Sequence, residues 1–294
     1  MKHHPTIPFF YFAPVIILLV LVLGVPEVIS LYYSLSEYPL GGQPRLIGLS
    51  NFVGLVQDSA FQRAFWRTLL YIFITIPLEM GLGLGFALLV NRSFKGKKVV
   101  VVLLLCPFAV NPVVAAIMWR SLFNSNFGLI NYLLTYLGFE MGDFLWLTDP
   151  VLAFFSIILV DVWLFTPIIF ILLYAACAAL PNDIIEAAVV DGATAWQRLR
   201  YITIPLIQPV LLVAITFRTM EGMRDFAHIY VMTGGGPADF TTLLSVYLYK
   251  VSFEFYRLGM GSAIAWFLTI MTVVIAGFYI HRLYQTTYQT VHNA

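Results

Sequence analysis

Residues Pro181–Pro205 read PNDIIEAAVVDGATAWQRLRYITIP, the longest polar stretch able to form compact helices in a chain otherwise saturated with apolar residues. It lies between two apolar runs of membrane length. Pro181 ends the helix before it, and Asn182 or Asp183 offers a side-chain cap for the next one, with Asp183 and Glu186 placed where the positive end of a helix favours acids. Gly192 stops that first short helix, because a glycine just past a helix end turns left-handed without a Cβ clash. Thr194 can cap a second short helix carrying Trp196, Arg198, Leu199 and Arg200, and Pro205 opens the next apolar run. The expected product is two short helices at an angle, a knuckle that something outside the membrane must read.

The flanks set its context. Hydrophobic residues make up 61% of the 294 positions and charged ones only 11%, with a mean hydropathy of +0.89. Soluble chains carry about a quarter charged residues, so the composition implies a polytopic membrane protein. A net charge of +1 makes no case for nucleic acid. Cys106 and Cys177 fall inside apolar runs and read as buried small hydrophobes rather than a disulfide or a metal pair. The first run, Phe9 to Tyr33, is too long for an ordinary secretory signal and reads as a retained membrane helix. Further runs follow at Phe65 to Val90, Val99 to Leu122, Val151 to Leu180, Leu206 to Gly222 and Gly259 to Ile280. Each is long enough to cross about 30 Å of hydrocarbon at about 1.5 Å per residue, which gives six spans and puts both termini on one side.

Orientation follows from charge. The connection Asn91 to Lys98 carries Arg92, Lys95, Lys97 and Lys98 with no acid, the strongest positive-inside signal in the chain. With Lys2 and Arg282 near the ends and Arg198 and Arg200 in the knuckle, it places both termini and the knuckle in the cytoplasm. A single membrane domain is expected over 1–294, with 181–205 as a cytoplasmic loop within it.

Polar residues inside the spans are the informative ones, since a charge at mid-membrane costs about 2.5–3.5 kcal/mol or more and survives only facing protein or water. Counting along straight helices, Asn111 lies about 18 Å from one end of its run, Asp161 about 15 Å and Arg218 about 18 Å, a common level on three helices. Phe108, Trp163 and Phe165 offer flat apolar faces near it, and Pro112 and Pro167 open the backbone locally. Arg218, Glu221, Arg224 and Asp225 are spaced for an ion-pair ladder near Gly222. A substrate pathway through Phe108, Asn111, Asp161, Phe165, Arg218, Glu221 and Gly222 is one reading. Self-pairing charges and helix–helix glue, with Glu79 satisfying a neighbouring helix, is the other.

One set of residues matches a family signature. Glu186-Ala187-Ala188, Gly192, Ile202, Ile204 and Pro205 resemble the cytoplasmic EAA loop of ABC-importer permeases, Ile204 standing where the family has leucine. Asp191 beside Gly192 looks most like the sugar-permease branch that includes maltose-type systems. Gly48-Leu49-Ser50-Asn51-Phe52, Phe127-Gly128-Leu129-Ile130-Asn131 and Asp225-Phe226 with Thr233-Gly234-Gly235-Gly236-Pro237 are similar to that branch's outer phrases.

The resemblance implies an all-α integral membrane fold of the type I importer kind, with six transmembrane helices and cytoplasmic coupling helices, in a bacterial or archaeal inner membrane. It implies a second homologous permease, a cytoplasmic ATPase dimer that binds ATP and magnesium, and an extracytoplasmic solute-binding protein. Glu186, Ala187, Ala188, Asp191 and Gly192 would couple to the ATPase: Glu186 by charge, Gly192 by setting the angle, Asp191 by holding it. The three pathway helices would carry a mono- or oligosaccharide or glycoside by alternating access. No G-x-x-x-x-G-K-[ST] phosphate loop occurs, so energy would come from another chain and no cofactor belongs to this one. Two alternatives stand: a permease for a glycerol phosphodiester or sugar-phosphate-like anion, and an ATP-independent secondary transporter or channel.

Overall fold

A computed structural model describes residues 9–39, 41–139 and 144–292. Helices dominate, as the apolar runs require: in hydrocarbon only a helix satisfies every backbone group within its own segment. Among the described residues, five are long and apolar enough to cross a membrane as single elements, and a bent pair supplies a sixth candidate. They are α1 (Ala13–Ser34), α3 (Ser59–Val90), the pair α4 and α5, α7 (Pro150–Ala178), α9 (Ala195–Gly222) and α12, of which Leu258–Arg282 qualifies. Shorter helices are α2 (Ser50–Gln57), α6 (Leu129–Tyr136), α8 (Asn182–Val190), α10 (Ala227–Thr233) and α11 (Leu244–Tyr249).

The third apolar run corrects the straight-helix count. It is not one rod but α4 (Lys97–Leu105, extended by one 3-10 turn to Ala109) and α5 (Pro112–Leu122), crossing at 98°. The cause is local. A residue before proline is pushed out of the helical region, and Asn111 adopts φ −60°, ψ 134° ahead of Pro112. The Asn111 side-chain oxygen then accepts from the Val113 amide at 2.9 Å, starting α5 afresh.

By packing, the chain divides into two units, 1–62 with 248–269 and 63–247 with 270–294. In the first, α1 is an apolar helix whose most hydrophobic window has none of its residues buried, and a two-stranded antiparallel pair follows, β1 (Ser36–Glu37) with β2 (Arg45–Leu46). Asn51, buried at the start of α2, donates to the Ser34 and Ser36 carbonyls at 2.9 Å each. That asparagine of the Gly48–Phe52 phrase therefore ties the turn after α1.

The second unit is built on α7, the helix with the largest buried share at 61% of its apolar window. Asp149 caps it, its Oδ1 accepting from the amides of Val151 and Leu152 at 2.9 and 2.8 Å, with Pro150 at the first helical position. One core packs α3, α5, α7 and α10 around Tyr71, Ala115, Ile157, Leu164 and Ile229, and another packs α3, α7 and α9 around Ala87, Phe170, Leu173 and Ala214. Gly83 lets α3 close on α7: a Cβ there would lie 2.7 Å from Ile169 Cγ2 and 3.1 Å from the Phe170 nitrogen. Cys177 is buried as expected, whereas Cys106 is exposed where the break after α4 turns it out of the packing.

Candidate functional site

Two regions of the second unit gather the chemistry. The first is a buried charge node. Arg218 on α9 is wholly buried, and each of its guanidinium nitrogens meets a different carboxylate: Nε donates to Glu79 on α3 at 2.7 Å, Nη2 to Asp161 on α7 at 2.5 Å and Nη1 to Asp225 at 3.0 Å. The planar guanidinium has five N–H donors on three nitrogens, so each nitrogen can serve a carboxylate from a different direction in its plane. The Phe165 ring covers the guanidinium carbon at 4.3 Å. His228 Nε2 lies 3.5 Å from Asp161 Oδ1 and 3.2 Å from the Tyr71 hydroxyl, and Ser245 Oγ donates to the Asp225 carbonyl.

Three carboxylates therefore share one guanidinium, and the surplus of acceptors shows: Glu79 Oε1 has no hydrogen-bond partner among the described residues. Asp161, Asp225 and His228 also present ligand atoms within 4.8 Å of one another. The guanidinium already holds both carboxylates, so a cation there would have to displace it.

Of the sequence-derived pathway residues, the structure brings together Asp161, Phe165 and Arg218, with Gly222 one turn on, where a Cβ would lie 3.5 Å from Arg218 Nη1. It separates the rest by role. Asn111 is an exposed helix cap and Phe108 is half exposed on the break. Glu221 pairs with Arg224 at 2.6 Å in an exposed contact, so the expected ladder resolves into an inner Arg218–Asp225 bond and an outer Glu221–Arg224 bond. Asn111 sits at the 98° break between α4 and α5, so residue counting along a straight helix does not bring it level with Asp161 and Arg218. Tyr71, Glu79, Asp225 and His228 complete the node. Sequence reasoning left them out of the site, although Glu79 beside Pro77 already carried the signal of a charge in an apolar span.

The second region is the knuckle. Helix α8 closes with Gly192 at φ +78°, and two backbone bonds hold the turn: the Gly192 amide donates to the Val189 carbonyl at 3.0 Å and the Ala193 amide to the Ala188 carbonyl at 2.9 Å. These form a Schellman closure. Thr194 and Gln197 form the reciprocal capping box, and Arg198 Nη1 donates to the Ala193 carbonyl at 2.7 Å.

Three details differ from expectation. Neither Asn182 nor Asp183 caps α8, whose N-cap is Pro181 without a side-chain bond. The second short helix is not separate, because a π-helical turn, Leu199–Thr203, carries it straight into the spanning part of α9. The angle is held by the backbone and Arg198 rather than by Asp191, which is exposed. Glu186, Ala187 and Asp191 face solvent while Ala188 is buried. Val190 is 86% and Trp196 68% exposed, an apolar face offered outward beside the exposed Glu186 and Asp191.

Comparison with known proteins places this arrangement. Residues 79–286 match the family described as the binding-protein-dependent transport system inner membrane component, and the chain belongs to that family. It is 38% identical to the trehalose/maltose transport system permease protein MalF of Thermococcus litoralis over 84% of this chain and 80% of that one. It is 34% identical to the sulfoquinovosyl glycerol transport system permease protein SmoG of Agrobacterium fabrum, over 91% and 87%. Among solved structures, a bacterial ABC transporter involved in the import of the acidic polysaccharide alginate superposes with a TM-score of 0.83 at 26% identity, covering 94% of each chain. The protein is thus a multi-pass membrane permease component of the ABC-importer type, a transporter rather than an enzyme.

Proposed function

We propose that this chain imports a carbohydrate, a mono- or oligosaccharide or glycoside, as one permease of a pair driven by a separate ATPase and supplied by a solute-binding protein. The observation that carries the reading is the agreement of the relatives over most of their length: the solutes in the names of three of them, trehalose/maltose, sulfoquinovosyl glycerol and alginate, are all sugars or glycosides. The geometry supports the division of labour. The chain offers an outward-facing knuckle with exposed Glu186, Asp191, Val190 and Trp196, a surface suited to a groove on a cytoplasmic ATPase, and ATP and magnesium belong to that partner. The Arg92–Lys98 cluster orients this end toward the cytoplasm.

Arg218, held by three carboxylates, is not free to receive an anionic solute, so it lends no support to the glycerol phosphodiester alternative. The node is accordingly a joint tying α3, α7 and α9, and the solute passes on another face during alternating access.

The test is reconstitution of the chain with its cognate permease, ATPase and binding protein in vesicles, followed by uptake of a panel of labelled saccharides. ATP-dependent accumulation of one saccharide, absent without the binding protein, is expected. Uptake that needs no ATP, or that follows a phosphodiester and no sugar, would overturn the reading.

A further inference from the structure

A cavity of about 430 Å³ opens between the knuckle and the ends of the spanning helices, within the range of about 300–1,000 Å³ usual for small-molecule sites. Asn91 and Arg92 at the end of α3 line one side, Asn182 at the start of α8 another, and Trp196 with Arg198 a third. Leu88 and Leu180 form its apolar floor. Two arginines and two asparagines are among the lining residues, and no carboxylate is.

The local electrostatics point the same way. Arg92 has no hydrogen-bond or ion-pair partner among the described residues, and Arg198 engages the Ala193 carbonyl through Nη1 alone, leaving other donors of both forks available. Helix α8 presents its first amides without a side-chain cap, so its positive end adds to the same field. An uncompensated pair of arginines around a cavity with a greasy floor is complementary to an anion that carries an apolar part, and the forks fit phosphate oxygens bidentately.

We propose that this cavity binds a phosphate-bearing anion, most directly the headgroup of an anionic phospholipid at the membrane surface, lodged between the knuckle and the helices it must move. Leu88 and Leu180 would meet the glycerol and upper acyl carbons, while Arg92 and Arg198 grip the phosphate. Basic pockets between helices at the cytoplasmic side are suited to such lipids. The site concerns the permease itself and does not depend on which solute it carries.

Native mass spectrometry of the full chain, purified with its partners and exchanged into micelles holding equal phosphatidylglycerol and phosphatidylcholine, reads the occupancy. Wild type is expected to retain phosphatidylglycerol preferentially. Arg92→Gln and Arg198→Gln are each expected to lower retention about fivefold, the equivalent of about 1 kcal/mol for one basic residue facing an anionic lipid. Arg92→Lys, which keeps charge but not the fork, should fall between, and its thermal transition reports that the chain is folded. Lys95→Gln, outside the cavity, should change nothing. Displacement of the lipid by millimolar inorganic phosphate, with phosphate raising the thermal transition in neutral micelles, would assign the site to a soluble phosphate instead. Equal retention of both lipids with no effect of phosphate, or equal losses in Lys95→Gln and Arg92→Gln, would overturn the proposal.

Discussion

The node at Arg218 and the knuckle at Pro181–Pro205 carry similar residues to opposite ends. In the node, acids and a base lie at zero exposure and close on each other across three helices. In the knuckle, Glu186 and Asp191 stand in solvent, and the turn is held by backbone bonds and a capping box instead. A charge inside an apolar bundle must find its partner within the chain, because unpaired burial costs several kcal/mol. A charge outside need not, and one left unpaired on an ordered turn is available to another protein. Charge satisfaction thus separates what holds this protein together from what it presents.

Breaking the node should have the largest effect on the fold. Arg218→Met leaves three carboxylates without their cation and is expected to destabilise the protein by about 3–5 kcal/mol, read as a large drop in the thermal transition of the purified chain. Restoring balance in the same background with Glu79→Gln and Asp161→Asn should recover much of it, and a cycle without such coupling would remove the node's role.

Gly192→Pro cannot adopt the φ of +78° and loses the bond from the Gly192 amide to the Val189 carbonyl, so it should open the knuckle and lower the thermal transition modestly while the spanning helices stay folded, and reduce uptake by about tenfold or more while ATP hydrolysis continues. Proline locks φ near −65° where the turn has φ +78°. Unchanged transport in that variant would end the coupling assignment. Thr194→Ala removes one half of the capping box and should loosen the knuckle by about 0.5–2 kcal/mol. A few-fold loss of coupled uptake at constant protein level measures it. Glu79→Gln alone should be mildest, within about 1 kcal/mol, because two carboxylates still compensate Arg218 and one like-charge repulsion is relieved. A loss as large as that of Arg218→Met would show instead that all three acids are required.

Much of this was legible in the residues. The spans follow from run length, because hydrocarbon thickness fixes how many residues a helix needs. The knuckle follows from Gly192 and Thr194, whose local chemistry admits few conformations. Asp161 and Arg218 stood out because ionisable groups are costly in apolar runs. Their assembly did not: Glu79 and Arg218 are 139 residues apart, and a single sequence says which charges need partners without saying which meet. The break before Pro112 was signalled by Asn111 and two prolines, but counting residues along a straight axis concealed it. Two of the outer phrases prove to be turn chemistry, with Asn51 and Asn131 buried as hydrogen-bonded ties.

Helix α9 joins the two regions into a lever. The segment Ala195–Gly222 is one helical element, so Arg198 in the knuckle and Arg218 in the node lie about 30 Å apart along a common axis. A tilt of about 10° at one end would swing the other by about 5 Å, comparable to the pitch of a single turn. The π-helical turn at Leu199–Thr203 and the prolines at 205 and 209 crowd the knuckle end of that axis, while the node clamps the far end to α3 and α7. The helix is therefore least regular where it leaves the knuckle and most firmly held where it meets the node.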